Sequence, residues 1–308
     1  MTAQARAQAA GRSLSTLPRP RGRVRTSIVL TISETMDEQA HYAASKVAMT
    51  HRPLPYLVQA MLAGAYIGVA VVLMVTAAGG LFVAESPWTK LVQGLVFGVA
   101  LTLVFAAGGE LATSNMMTLT QGALRRTIGW APAGGTLAFS FVGNLLGAAT
   151  FATMVHFSGV LAPETPAGTM LAGMLKAKGH ETGSELFWRG VLCNMLVCLA
   201  MWSAMRLRTE GAKLLVIFWC LLAFITSGFE HVVANMTTFS LGLLGGLPGA
   251  TLSAFGRNLL FVGAGNLVGG AVVVGLAYAV IAGRPKDLVP ALPTAPDDAA
   301  EPVLASHS

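Results

Sequence analysis

GFEHVVANM, Gly228 to Met236, sits inside an apolar stretch that runs from about Leu214 to about Leu244. A glutamate, a histidine and an asparagine fall within six residues of a segment otherwise suited to hydrocarbon. Ionisable groups at that depth are expensive and are kept only where they pair or line a path. A second stretch, GGELATSNM from Gly108 to Met116, repeats the pattern G-x-E-x-x-x-x-N-M. Glu110 matches Glu230, Asn115 matches Asn235 and Met116 matches Met236. Downstream, GNLLGAA begins at Gly143 and GNLVGGA at Gly265. The distance from Glu to the second Asn is 34 residues in one half and 36 in the other. Two motifs at matched spacing mark an internal repeat.

Six apolar spans are expected, at about 56–84, 91–123, 133–157, 185–205, 213–244 and 256–283. Each is long enough to cross roughly 30 Å of hydrocarbon. Three spans per half is an odd number, so the second copy enters the membrane from the opposite side. The expected fold is therefore all-α and integral to the membrane: six transmembrane helices in two inverted three-helix repeats, with the solute path between them. The second and fifth spans exceed the length of a straight crossing and carry Gly beside their polar motifs. Both are expected to be broken helices, since irregular backbone is tolerated at that depth only in protein or against a cavity.

Composition agrees. Of 308 residues, 54% are hydrophobic and only 11% charged, against about a quarter charged in soluble domains. The surplus of basic residues sits beside the spans, where it reports topology rather than nucleic-acid binding. With the N-terminus inside, fifteen of the twenty Lys and Arg fall on the cytoplasmic side, so both termini are expected there, in a multi-pass plasma (inner) membrane protein. Residues 1–33 read as a disordered basic arm and 284–308 as a disordered tail, flanking a membrane domain at 34–283. Thr35 to Glu38 matches a capping box and opens a helix at the interface. PETPAGTMLAGMLKAKGHETGSE, between the third and fourth spans, reads as a polar loop. The three cysteines, Cys193, Cys198 and Cys220, read as buried thiols. No cofactor or metal set stands out.

Glu110, Asn115, Glu230 and Asn235 are expected to brace backbone groups freed by the two breaks. His231 has no counterpart in the first half, where Leu111 takes its place, so symmetric bracing does not explain it. A mid-membrane histidine in a broken helix points to a pore. Asn194, in RGVLCNMLVCLAMW, is another isolated polar group within a span.

GGELATSNMM, FWRGVLCNMLVCLAMW and SGFEHVVANM, in that order on the second, fourth and fifth spans, resemble the signature segments of the formate/nitrite transporter family. The resemblance covers about residues 34–283. It implies an aquaporin-like homopentamer, each protomer with its own pore for small monovalent anions. Carried over by motif position, His231 would be the central pore histidine, Thr113 the pore threonine, Asn194 a polar partner and Lys178 a vestibule lysine. Phe97, Leu101, Leu111 and Phe224 would form the hydrophobic constrictions. Ala112 departs from the aromatic that many members carry after Glu-Leu, which implies a wider or more mobile loop gate. The expected function is passage of formate or nitrite, with a proton, past His231. The alternative is an ammonium- or water-type channel of similar architecture. No HExxH or Ser/His/Asp set lies within the spans, so an enzyme is not expected.

Overall fold

The computed structural model describes residues 29–283. The proposed tail at 284–308 lies outside the described residues, as does the arm up to residue 28. The last residues counted with that arm are held in place: Leu30 N–H donates to Arg206 O at 2.9 Å, and Val29 bridges Leu207.

Helix α1 spans Ile32–Met49. Its capping box is formed by Thr31 and Glu34, four residues before the pair expected from sequence. Thr35 instead lies in the first turn, its hydroxyl donating to Thr31 O at 2.8 Å. Met36, Gln39, Ala40, Ala43 and Lys46 are buried; their spacing marks one helix face.

Helix α2 spans Pro53–Val83, with Pro at the start where its missing N–H costs nothing. Helices α3 (Thr89–Phe97) and α4 (Val99–Ala107) join at Gly98 into one apolar stretch of 19 residues. The chain is irregular at 108–111 and resumes in α5, Ala112–Leu124. Helix α6 follows at Trp130–Ser158. Helix α7, Pro166–His180, occupies the segment read as a loop. That reading is corrected: Thr165 caps the helix and Pro166 starts it, and interspersed glycines and polar residues had hidden its apolar face.

Helix α8 spans Gly183–Arg206 and opens on its own capping box, Thr182 with Glu185. Helix α9, Glu210–Thr226, and α10, Val232–Leu244, are separated by an irregular stretch at 227–231. Helix α11, Leu252–Leu267, runs through a π-helical segment, Val268–Leu276, into α12, Ala277–Ala282. Among the described residues, five helical stretches are long and apolar enough to cross a membrane: 53–83, 89–107, 130–158, 183–206 and 252–282. Helix α9 has 17 residues and α10 has 13.

The packing is paired. Helix α2 lies along α6, and α8 along α11. The short α10 packs on α6 of the first half, and α5 on the π-helical segment of the second. The long pairs meet through glycine. A Cβ on Gly147 would stand 1.9 Å from Met61 O, and one on Gly265 2.1 Å from Phe187 O. Such close approach is how helices pack where no hydrophobic force drives them together. Gly147→Ala is expected to lower thermal stability by about 2–3 kcal/mol, because backbone must move. Gly135→Ala on the same helix, with open space at its Cβ, is the control and should change little. Equal melting temperatures for the two variants would contradict the packing. Trp88, Trp130 and Trp188, near helix ends, are exposed, as amphipathic rings at a membrane interface are.

Candidate functional site

Two irregular loops carry the site. Each begins with a glycine in the left-handed region, Gly108 at φ 81° and Gly228 at φ 75°. This lets the chain turn off one half-helix: Gly109 N–H donates to Val104 O, and Phe229 N–H to Phe224 O. Peptide groups freed by the turn need partners, and the same set appears in both halves. Asn144 Oδ1 accepts from Ala112 N–H at 2.8 Å, and its amide donates to Ala60 O and Glu110 O, both at 2.8 Å. Asn266 Oδ1 accepts from Val232 N–H at 2.9 Å, and its amide donates to Gly190 O and Glu230 O at 2.8 and 3.0 Å. Glu110 N–H reaches Gln59 O as Glu230 N–H reaches Arg189 O.

The backbone is thus braced by Asn144 and Asn266. The four residues expected in that role bond other side chains instead. Glu110 takes Lys46 Nζ on both oxygens at 2.7 Å and Asn115 at 3.2 Å. Glu230 takes Lys178 Nζ at 2.6 and 2.5 Å and Asn235 at 2.6 Å. Asn235 also donates to Asn258 Oδ1 at 2.8 Å. Lys178 is therefore neither solvated nor in a loop: it is 9% exposed on α7 and paired. Lys46, 4% exposed, is its counterpart and was missed. The signal was present, since a lone lysine shares the buried face of α1 with Met36, Gln39 and Ala43. A carboxylate buried against a lysine resolves the cost of both charges, and removing one partner would strand the other.

His231 lies at the end of the second loop, 4% exposed. Its Nδ1 accepts from Ala234 N–H at 3.2 Å, capping α10. Its Nε2 is 3.0 Å from Thr113 Oγ1 at the start of α5. With Nδ1 occupied as an acceptor, the neutral ring carries its proton on Nε2 and donates to Thr113. The threonine hydroxyl hydrogen is then free. Asn194, fully buried, donates to Thr113 O at 3.1 Å and Asn266 O at 2.7 Å. Both amide hydrogens are spent on carbonyls, so Asn194 ties the two halves together and offers its Nδ2 to no solute. By matched bonding its counterpart is Gly64, where a Cβ would stand 2.1 Å from Asn144 O.

Two cavities flank this centre. One, about 490 Å³, is lined by Lys46, Glu110, Tyr42, Gln59, Leu111 and Lys213 among others. The other, about 230 Å³, is lined by Lys178, Glu230, Lys90, Phe97, Phe224 and His231 among others. Phe97, Leu101, Leu111 and Phe224 are each 1% exposed and belong to one buried apolar cluster. The rings of Phe97 and Phe224 meet edge-on at 5.6 Å, and Phe224 stacks on His231 at 6.1 Å. The arrangement offers a charged mouth, an apolar barrier and a hydrogen-bonding centre.

A sequence model described as formate/nitrite transporter matches residues 33–280. The nitrite transporter NirC of Salmonella typhimurium is 41% identical over 251 residues, covering 80% of this chain and 90% of that one. The formate channel FocA of Escherichia coli K12 is 29% identical over 275 residues, covering 83% and 94%. Among solved structures, an FNT family ion channel superposes with a TM-score of 0.75 at 40% identity, covering 80% of this chain and 98% of that one. A pentameric formate channel with formate bound gives 0.64 at 29% identity, covering 74% and 96%.

Proposed function

The chain belongs to the formate/nitrite transporter family, and we propose that it carries formate or nitrite across the membrane through a pore centred on His231. Six spans in two inverted three-helix repeats, broken at 108–111 and 227–231, would form that pore within each protomer of a homopentamer. The matched bonds of Asn144 and Asn266 support the repeat. Both termini would be cytoplasmic, which places the Lys178 cavity outside and the Lys46 cavity inside. Residues 34–283 would form the membrane domain.

The observation that carries the reading is a buried apolar barrier between two lysine-bearing cavities, with the His231–Thr113 pair beside it. A small anion is drawn to a mouth of net positive charge. Crossing the barrier as a bare ion is costly, and crossing as the neutral acid costs far less. The hydroxyl hydrogen of Thr113, not spent on His231, would hold an oxygen of the solute, with Nε2–H of His231 keeping that hydroxyl oriented. Lys178 and Lys46 would act from within ion pairs, so each cavity attracts through the balance of its charges. The relatives named as transporters and channels make catalysis an unsupported alternative.

The test is flux into liposomes holding the purified protein. Formate and nitrite should enter, and an inward proton gradient should speed them. Ammonium or water should pass no faster than through empty vesicles. Ammonium or water conduction with no formate or nitrite flux would overturn the reading.

A further inference from the structure

The two cavities share a buried lysine–glutamate pair and differ in a second ion pair that only one of them carries. Lys46 and Lys178 hold Glu110 and Glu230 in the same way. One turn further along, α1 offers Met49 to its cavity, and the end of α7 offers Glu181 to the other. Across from them, the residues whose carbonyls receive the loop N–H are Gln59 and Arg189. Gln59 and Met49 are neutral; Arg189 and Glu181 form a salt bridge. The Lys178 cavity thus carries three cationic and two acidic side chains, and the Lys46 cavity two and one.

Glu181 is built into the wall. Its side chain is 13% exposed, Arg189 Nη1 bonds Oε1, and Oε2 is buried without a hydrogen-bond partner. Its backbone carbonyl accepts from Arg257 Nη2 at 2.5 Å. The charged and titratable groups around it are Lys178 and His180 on α7, Glu185 and Arg189 on α8, Glu230 on the loop, Lys90 on α3 and Arg257 on α11.

We propose that Glu181 limits anion throughput: its carboxylate, fixed in the wall by Arg189, offsets the pull of Lys90, Lys178 and Arg189 on an anion in that mouth, while the opposite mouth carries neither partner of that pair and reaches the same balance of charge without it. The inference rests on the transport reading above. Burial pushes the Glu181 carboxyl above the usual range and Glu230 adds to the rise, against the opposing pull of Lys178 and Arg189. The counter-charge is therefore lost, as pH falls, sooner than that of an ordinary carboxylate.

Glu181→Gln keeps an acceptor for Arg189 and the backbone bond to Arg257. Flux of formate and nitrite is measured in liposomes at equal pH on both sides, as the ratio of variant to wild type, which cancels the pH dependence of the solute. At about pH 7.5, well above ordinary carboxyl values, the ratio should be roughly threefold, the effect of one unit charge within a Debye length in a water-like medium. It should fall to one as pH drops, because protonated Glu181 already resembles Gln, and it should shrink at high salt. A merely structural ion pair would lower the melting temperature and leave the ratio at one throughout, which overturns the proposal. Should Glu181→Gln fail to assemble, Met49→Glu decides: it places a carboxylate in the other mouth and should slow flux at neutral pH with recovery on acidification, and unchanged flux overturns the proposal. Absence of any formate or nitrite flux in wild type would instead overturn the transport reading.

Discussion

Asn266→Leu is expected to abolish recovery of folded protein, and Asn144→Leu to do the same. Each asparagine is fully buried and serves three backbone groups of a loop and its neighbour. Leucine branches at the same carbon, is somewhat larger and bonds none of them. Leaving one buried peptide group unsatisfied costs about 1–3 kcal/mol, so three left together approach about 5 kcal/mol, which rivals the whole stability of many domains. No water is at hand in hydrocarbon to substitute. Asn266→Asp is the informative companion: its carboxylate keeps the bond from Val232 N–H and loses both donors, so two carbonyls go unserved and the loss should be intermediate only if Asp is protonated. Size-exclusion profiles and melting curves in detergent measure both. A folded Asn266→Leu protein with a melting temperature near wild type would show that the loops are held by something other than these bonds.

Much of this architecture was legible in the sequence, and the limits have physical causes. Family membership followed from three short segments, because the polar residues of a membrane protein are few and each is tied to a place. The repeat spacing of 34 and 36 residues included Asn144 and Asn266, yet bracing was assigned to Glu110, Asn115, Glu230 and Asn235. Sequence shows which polar residues repeat but not which lies within reach of a peptide group. An asparagine offers both donor and acceptor and can serve an N–H and two carbonyls at once; a carboxylate offers acceptors alone and needs a cation. That chemistry assigns Lys46 and Lys178 to the carboxylates once they are close. Helix α7 escaped notice because its apolar face is carried by Ala, Met and Leu among glycines. The early capping box was overlooked because Thr31–Glu34 and Thr35–Glu38 are both T-x-x-E, and only the backbone bonds separate them. The Glu181–Arg189 pair gave no signal, being two ordinary charges at a helix junction.

His231→Asn should leave the protein folded and change how its flux depends on pH. The two roles of this histidine use different nitrogens. Nδ1 caps α10 through Ala234 N–H, and Nε2 meets Thr113 at the start of α5. Asparagine is among the best N-cap residues, so its side-chain oxygen inherits the first role without loss of stability. Leu111, the matching position in the other half, has no side-chain cap at all, so one uncapped half-helix is already tolerated. The second role cannot be inherited. Asparagine is shorter than imidazole and does not titrate, so Thr113 loses its ring donor and its hydroxyl is free to rotate. A second proton on the ring must go to Nδ1, displacing the Ala234 bond; in wild type this resists a permanent positive charge that would trap an anion at the centre. Without the ring, discrimination between an anion and its neutral acid should shift by about tenfold, or about 1.4 kcal/mol, the scale of one hydrogen bond to a charged group. Flux of formate and nitrite against pH, set beside melting temperature on one preparation, separates the roles. A lowered melting temperature with the wild-type pH profile would confine His231 to capping and remove it from the transport mechanism.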